Sequence, residues 1–175
     1  EIIRNGIVRP EDIPHFAGKI YDESQRLITL IGDIIKLSQL DEDQVPLERE
    51  SVDLLEISRD VVQQLSSVAK KNGVSLVAGG THGSVYGVRQ VLSEMVYNLC
   101  ENAVKYNQKG GRVSVDVKQS DAAITLTVKD TGIGIPKAEQ SRVFERFYRV
   151  DKSHSKAVGG TGLGLSIVKH GAALH

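Results

Sequence analysis

Apolar positions along the chain follow two spacings, one of seven residues and one of two. From about Glu11 to Leu40, Ile20, Leu27 and Ile34 recur every seven residues, with Ser24, Ile31 and Ser38 between them and Leu30 and Leu37 beside the seam. This repeat predicts one long helix whose apolar seam requires partner helices. Pro10-Glu11-Asp12 reads as the turn that opens it, since acidic residues are favoured at a helix start. A helix of this kind can also lie on its own domain. The charged stretch Asp41-Glu42-Asp43-Gln44 and then Pro46 look like a linker, however, which favours the bundle reading.

Beyond the linker, Ser51 is a candidate cap for a helix running to about Asn72, with Asp53 in its first turn and Gly73 as its terminator. Leu54, Leu55, Val61, Val62, Leu65 and Val68 supply its apolar positions. A short strand over Val74 to Ala78 is expected next, then a second helix from about Val85 to Tyr106. The segments GRVSVDVKQS and AAITLTVKD alternate apolar and polar residues on either side of Ser120-Asp121. They predict a hairpin with Val113, Val115, Val117, Ile124, Leu126 and Val128 facing the core. Helices grouped against an antiparallel or mixed sheet give an α+β fold, a two-layer α/β sandwich.

Composition narrows the possible functions. With 175 residues there is room for one domain and a smaller appendage. Lys plus Arg (22) balances Asp plus Glu (22), so nothing draws the whole chain to nucleic acid or to an anionic membrane, and any phosphate binding must be local. Cys100 is the single cysteine, which excludes an internal disulfide and a cysteine-rich zinc site. Its apolar helical setting predicts a buried, inert thiol and favours a reducing, cytoplasmic compartment. Apolar runs such as Leu27 to Ile31 fall far short of the ~20 residues that span a bilayer.

The candidate chemistry lies in three places. Glu94, Asn98 and Asn102 are four residues apart on one helix face, with Lys105 and Tyr106 a turn further on. Alone, that stripe could simply face solvent. Asp130-Thr131-Gly132-Ile133-Gly134-Ile135-Pro136 leaves a strand and enters a turn where backbone can approach a ligand closely. A carboxylate at that strand end can accept a hydrogen bond from an exocyclic amine such as adenine's, although an aspartate that merely starts a turn is a plainer reading. Gly159 to Lys169 then places four glycines at the start of an apolar helix, where free N–H groups and the helix dipole favour a phosphate. Neither a Rossmann unit nor a P-loop surrounds these glycines, so a different nucleotide fold is required.

In four segments, NLCENAVKY, DTGIGIP, FERFYRVD and GGTGLGLSIVK, the chain resembles the histidine protein kinase family, whose ATP-binding domain is shared with gyrase, heat-shock-90 and mismatch-repair ATPases. The motifs occur in family order over residues 94–169, and the KY pair and FxRFYR point to kinases. The resemblance implies that residues 1–43 are part of a dimerisation helical hairpin, the end of its first helix and its second. Residues 44–175 would be the ATP-binding catalytic domain, cut short at its C-terminus.

The resemblance also assigns roles. Asn102 would coordinate the Mg2+ that bridges the phosphates of ATP, with Asn98 in support through phosphate or water contacts; oxygen ligands and retained water suit that ion. Lys105 would add charge at the phosphates, Tyr106 would pack on the adenine, and Asp130 would read its amine. Gly132 and Gly134 would admit the base, while Gly160, Gly162 and Gly164, with Thr161 and Leu163 among them, would hinge a lid and present N–H groups. Arg149 is the candidate contact to the γ-phosphate, and completes a catalytic set with Asn102 and Lys105. Phe144, Phe147 and Tyr148 read as lid anchors, or more plainly as core. Asp151 to Val158 reads as a mobile lid.

In this family the phosphate acceptor is a histidine followed by an acidic residue. His15, His82, His154, His170 and His175 all lack that neighbour, and none has a partner at zinc-site spacing. EIIRNGIV resembles the tail of the first hairpin helix, so the acceptor is expected just upstream of Glu1, and the strands that close the domain are expected beyond His175. Val88 stands where relatives usually carry an aspartate, so a local helix cap is expected to be lost. The implied function is transfer of the γ-phosphoryl of Mg-ATP to a histidine in a homodimer, from which the aspartate of a response-regulator receiver domain takes it. This stretch would be the cytoplasmic portion of a membrane-anchored bacterial sensor kinase, touching neither membrane nor nucleic acid. A degenerate interaction module without catalysis is the alternative, but it would have lost Asn102, Asp130 or the glycines. A hydrolytic ATPase would use Glu94 or Glu101 as base.

Overall fold

The computed structural model describes Asn5 and residues 8–41, 48–150 and 160–175. The expected linker at 42–46, the expected lid at 151–158, His154, Gly159 and most of EIIRNGIV lie outside the described residues. A 3-10 turn at Pro10–Asp12 opens helix α1, Ile13–Asp41, as the acidic start suggests. Then follow β1 (Glu50–Asp53), α2 (Leu54–Asn72), β2 (Ser75–Gly80), β3 (Ser84–Gly87), α3 (Arg89–Lys105), β4 (Arg112–Gln119), β5 (Ile124–Asp130) and α4 (Gly164–Leu174).

Two of these strands correct the sequence reading. Ser51 does not cap α2: it lies in β1, paired with Tyr86 of β3 in an antiparallel ladder that also joins Val52 to Val85. The chain turns into α2 only after Asp53, whose carboxylate accepts the N–H groups of Leu55 (2.8 Å) and Glu56 (3.4 Å). His82 Nδ1 lies 2.5 Å from the other carboxylate oxygen. The hydrogen bond from His82, together with those backbone donors, holds the Asp53 carboxyl below its usual range. Val85 and Tyr86 likewise belong to β3, so α3 begins at Arg89. Strands of four residues carry too little alternation to stand out.

The rest follows the pattern. Gly73 ends α2 in the left-handed conformation, φ 67°, with its N–H bonded to the last-turn carbonyls. β2 runs parallel to β4, and β4 pairs antiparallel with β5 through the turn at Ser120 to Ala123, giving the order β2-β4-β5. Val113, Val115 and Val117 are buried, and Ile124, Leu126 and Val128 are half-buried beside them. α2 and α3 cover that one sheet face, with Val52, Leu55, Val61, Leu65, Val96 and Cys100 interlocked in the core. This is the two-layer α+β arrangement that the sequence predicts.

α1 divides its apolar residues between two environments. Leu37 is buried against Leu163 and Ile167, with Leu30 packed beside it, so part of the helix lies on its own chain. The seam residues Ile20, Leu27, Ile31 and Ile34 are each 45–59% exposed.

The α3 start has no side-chain cap, as Val88 implies. The Val88 N–H instead donates to Nε2 of His175 at 2.9 Å, while Nδ1 of that ring lies 2.7 Å from the Gly171 carbonyl.

Two outcomes test this fold. Gly73→Ala forces a Cβ into the left-handed region and is expected to lower stability by about 1–2 kcal/mol in urea unfolding, with the urea dependence unchanged. Burial pushes the Cys100 thiol up to about 12, so iodoacetamide at neutral pH is expected to leave Cys100 unmodified in the folded chain and to alkylate it within minutes in denaturant.

Candidate functional site

The polar stripe of α3 faces protein rather than solvent. α4 crosses it so closely that a Cβ on Gly164 would stand 2.6 Å from Asn98 Oδ1. Asn98 is buried, and its amide nitrogen donates to the Glu94 carbonyl at 2.9 Å and weakly to the Glu94 carboxylate at 3.4 Å. Asn98 therefore braces α3 against the first turn of α4, with Oδ1 turned toward Gly164. One turn on, Asn102 is half-buried, and its side-chain amide has no hydrogen-bond partner among the described residues.

Lys105 continues the stripe, with Nζ 3.0 Å from where a Cβ on Gly160 would sit. Burial pushes this ammonium below the usual lysine range; Glu101 opposes the shift, the Arg149 guanidinium adds to it and Asp33 opposes it. A partly desolvated cation of this kind gains from a bound anion.

The glycine segment is fixed by residues of the FERFYRVD segment. The Phe147 N–H donates to the Gly162 carbonyl at 2.9 Å, and Arg149 Nη1 donates to the Gly160 carbonyl at 2.8 Å. Gly162 has φ 74°, and a Cβ there would meet the Phe147 backbone at 2.9 Å, so both conformation and contact require glycine. Phe147 itself has φ 63°, a costly conformation for an aromatic residue. The plain core role expected for Phe144 and Phe147 does not hold: they are 40% and 59% exposed, and the Phe147 backbone is tied to the glycine segment. Tyr148 is half-buried, its hydroxyl bonded to Glu139 and its ring under the Arg142 guanidinium at 4.2 Å.

At the other end of the site, Asp130 and Tyr106 meet across a tight turn. Asp130 Oδ1 accepts the Gly132 N–H at 2.8 Å, and Oδ2 of this exposed residue has no hydrogen-bond partner among the described residues. The Ile133 N–H donates to the Tyr106 carbonyl at 3.1 Å, and a Cβ on Gly132 would fall 2.4 Å from that oxygen. Gly134 follows at φ 69° with open space beside its Cα. The Tyr106 ring is 37% exposed at the end of α3.

Two residues at the site escaped the sequence reading, and both come from α1. Asp33 Oδ2 accepts the Thr161 hydroxyl at 2.6 Å, and Lys36 Nζ lies 2.7 Å from Glu94 Oε1. Asp33 lies three residues from Leu30 and four from Leu37, while Lys36 directly precedes Leu37, so both belong to the flank of the heptad rather than to its seam.

The chemistry on offer suits an adenine nucleotide. Asp130 presents a carboxylate oxygen, and Lys105 and Arg149 supply positive charge beside Gly160, four residues before α4 begins. Asn102 contributes a hard oxygen donor of the kind that Mg2+ accepts.

Comparisons with known proteins identify the family. Residues 87–175 match the family model described as histidine kinase-, DNA gyrase B- and HSP90-like ATPase. The sensor-like histidine kinase SenX3 of Mycolicibacterium smegmatis is 40% identical over 95% of this chain and 44% of its own length. The sensor histidine kinase WalK of Bacillus subtilis is 32% identical over the whole chain and 29% of its own length. The chain thus spans less than half the length of these curated relatives. Among solved structures, the mycobacterial sensor histidine kinase MprB superposes with a TM-score of 0.61 at 34% identity, over 73% of this chain and 80% of that one. Together with the asparagine face, the Asp130 turn and the glycine-led α4, the match over residues 87–175 establishes that the chain belongs to the histidine kinase-, DNA gyrase B- and HSP90-like ATPase family, with an ATP-binding domain of the sensor histidine kinase type.

Proposed function

We propose that this chain binds Mg-ATP between α3, the Asp130 turn and the start of α4, and that it donates the γ-phosphoryl to a histidine outside residues 1–175. One observation carries the reading: the Asp130 carboxylate at one end of α3 and the Lys105 ammonium beside Gly160 are held on a common scaffold, a base reader and a phosphate anchor together.

Asp130 accepts the adenine amine, and Tyr106 covers the ring with its exposed face. Lys105, Arg149 and the N–H groups of Gly162, Leu163 and Gly164 surround the phosphates, while Asn102 holds the metal. Bound Mg2+ supplies charge neutralisation across the phosphate oxygens. The protein's part is positioning and electrostatic preorganisation, because phosphoryl transfer asks for little covalent chemistry from side chains. Asn98 acts from below, keeping α4 seated. Glu94 is paired with Lys36, an arrangement that disfavours the hydrolytic alternative in which it serves as base.

The sensor-kinase resemblance further supports a homodimer built through α1. Its exposed Ile20, Leu27, Ile31 and Ile34 form an apolar face that a second hairpin would cover. A response-regulator receiver domain would take the phosphoryl onward. The whole protein would be a membrane-anchored sensor; among the described residues no helix is long and apolar enough to cross a membrane.

Calorimetry in the presence of magnesium is expected to show ATP and ADP binding and much weaker GTP binding, since guanine turns a carbonyl toward Asp130 where adenine has a donor. Asp130→Ala is expected to weaken ATP about 10- to 100-fold, consistent with ~1.5–3 kcal/mol for a hydrogen bond to a charged group. Equal affinity for ATP and GTP in a chain with unaltered circular dichroism would overturn the adenine assignment. Incubated alone with γ-labelled ATP, the chain is expected to gain no acid-labile phosphate; stable label on any of its five histidines would show that the acceptor lies within it.

A further inference from the structure

The Asp130 turn is fastened to the end of α3 by a closed set of hydrogen bonds. The Thr131 hydroxyl oxygen accepts the Arg112 N–H at 2.9 Å and donates to Asn107 Oδ1 at 3.2 Å, with the Arg112 carbonyl a more distant acceptor at 3.5 Å. Asn107 Nδ2 donates to that Arg112 carbonyl at 3.2 Å, and the Thr131 N–H reaches it at 3.1 Å. Asn107 Oδ1 also accepts the Gln108 N–H at 2.9 Å. Both ends of the Asn107 amide are therefore engaged, and rotating it by half a turn would set donor against donor at Gln108. Gly111 lies against that amide, where a Cβ would stand 2.0 Å from Oδ1, so the clamp closes only over a glycine. Thr131 directly follows Asp130, and on its other side the Gly132 N–H holds Asp130 Oδ1 at 2.8 Å while the Ile133 N–H donates to the Tyr106 carbonyl at 3.1 Å.

We propose that Asn107 and Thr131 are positioning residues for adenine: their clamp sets the distance from the Asp130 carboxylate to α3, and with it the span from base to phosphate that the site accepts. The inference rests on the nucleotide site proposed above. Asp130 ends β5, whereas Asn102 and Lys105 belong to α3, so base reader and phosphate anchors sit on different elements. The turn between them contains Gly132 and Gly134, the latter at φ 69°, and its backbone is free to adopt other conformations. A hydrogen bond to the adenine amine tolerates a shift of only a few tenths of an ångström. Without the clamp, the Asp130 turn would be tied to the end of α3 by the Ile133 to Tyr106 bond alone among the hydrogen bonds described above. Neither Asn107 nor Thr131 touches the nucleotide in this arrangement. Their effect passes through Asp130.

ATP would be titrated calorimetrically, with magnesium, into the unaltered chain, into Thr131→Val, Thr131→Ser, Asn107→Ala and Asp130→Ala, and into the double variant of Asp130→Ala with Thr131→Val. Thr131→Val keeps the volume and removes the hydroxyl, and is expected to weaken ATP about five- to tenfold, less than Asp130→Ala does. Asn107→Ala breaks the clamp from its other side and is expected to cost as much; it carries the test on its own should Thr131→Val unfold. Thr131→Ser keeps the hydroxyl and is expected to bind ATP like the unaltered chain, an order of effects opposite to that of a side chain needed only for its volume. In the double variant Thr131→Val is expected to add nothing to the loss from Asp130→Ala, because no carboxylate is left to position. Unchanged ATP affinity in Thr131→Val and Asn107→Ala, or a full further loss in the double variant, overturns the positioning role, while a loss in Asp130→Ala leaves the nucleotide site standing. If Asp130→Ala bound ATP as the unaltered chain does, the adenine reading would fall and the clamp's role with it.

Discussion

The site depends on how closely α4 approaches α3. Helices of ordinary side chains pack 8–10 Å apart, but Gly164 removes the one side chain that would collide with Asn98, and the first turn of α4 settles onto the polar stripe. Gly171, two turns further along α4, lies as close to α3, since a Cβ there would stand 2.7 Å from Met95 Sδ and 3.0 Å from Val91 Cγ1. The approach converts a row of polar residues that could have faced water into the floor of a ligand site. It also explains why Asn98 is internal: burying an amide is tolerable only because its nitrogen is bonded to Glu94.

Around that junction the charges are arranged in opposed pairs. Lys36 neutralises Glu94, Asp33 leans on the start of α4, and Lys105 is partly desolvated between Glu101, Arg149 and Asp33. None of these groups is isolated, yet each can exchange its partner for another of like charge. A site so built would hold a strongly charged ligand without leaving an uncompensated cation when the ligand departs.

How much of this could be read from the sequence depended on the range of the interactions. The β4–β5 hairpin, the α2 terminator Gly73 and the Asp130 turn are local, set by alternation, by one glycine and by a strand end, and all three were legible. So was the stripe from Glu94 to Tyr106. β1 and β3 were not, because each is four residues long and gains its stability from a partner thirty-odd positions away. The cap at Asp53 was misplaced by two residues for the same reason: Ser51 has the right chemistry for a cap, but its backbone is committed to Tyr86. The exposure of Phe144 and Phe147 and the entry of Asp33 and Lys36 into the site arise from tertiary packing that no residue spacing encodes.

The Val88 to His175 bond has a kinetic side. Most helices satisfy their first N–H groups with a residue a few positions away, available as soon as the segment coils. Here the partner is 87 positions along the chain. Closing so long a loop is entropically slow to reward, so the α3 start is left to water until α4 docks. A bond of such span is expected to form late, after the rate-limiting step of folding. Interactions of that class slow unfolding without hastening folding, so His175 would act less as a guide to the fold than as a brake on its loss, and it joins the far ends of the two helices that carry the glycine segment and the asparagine face.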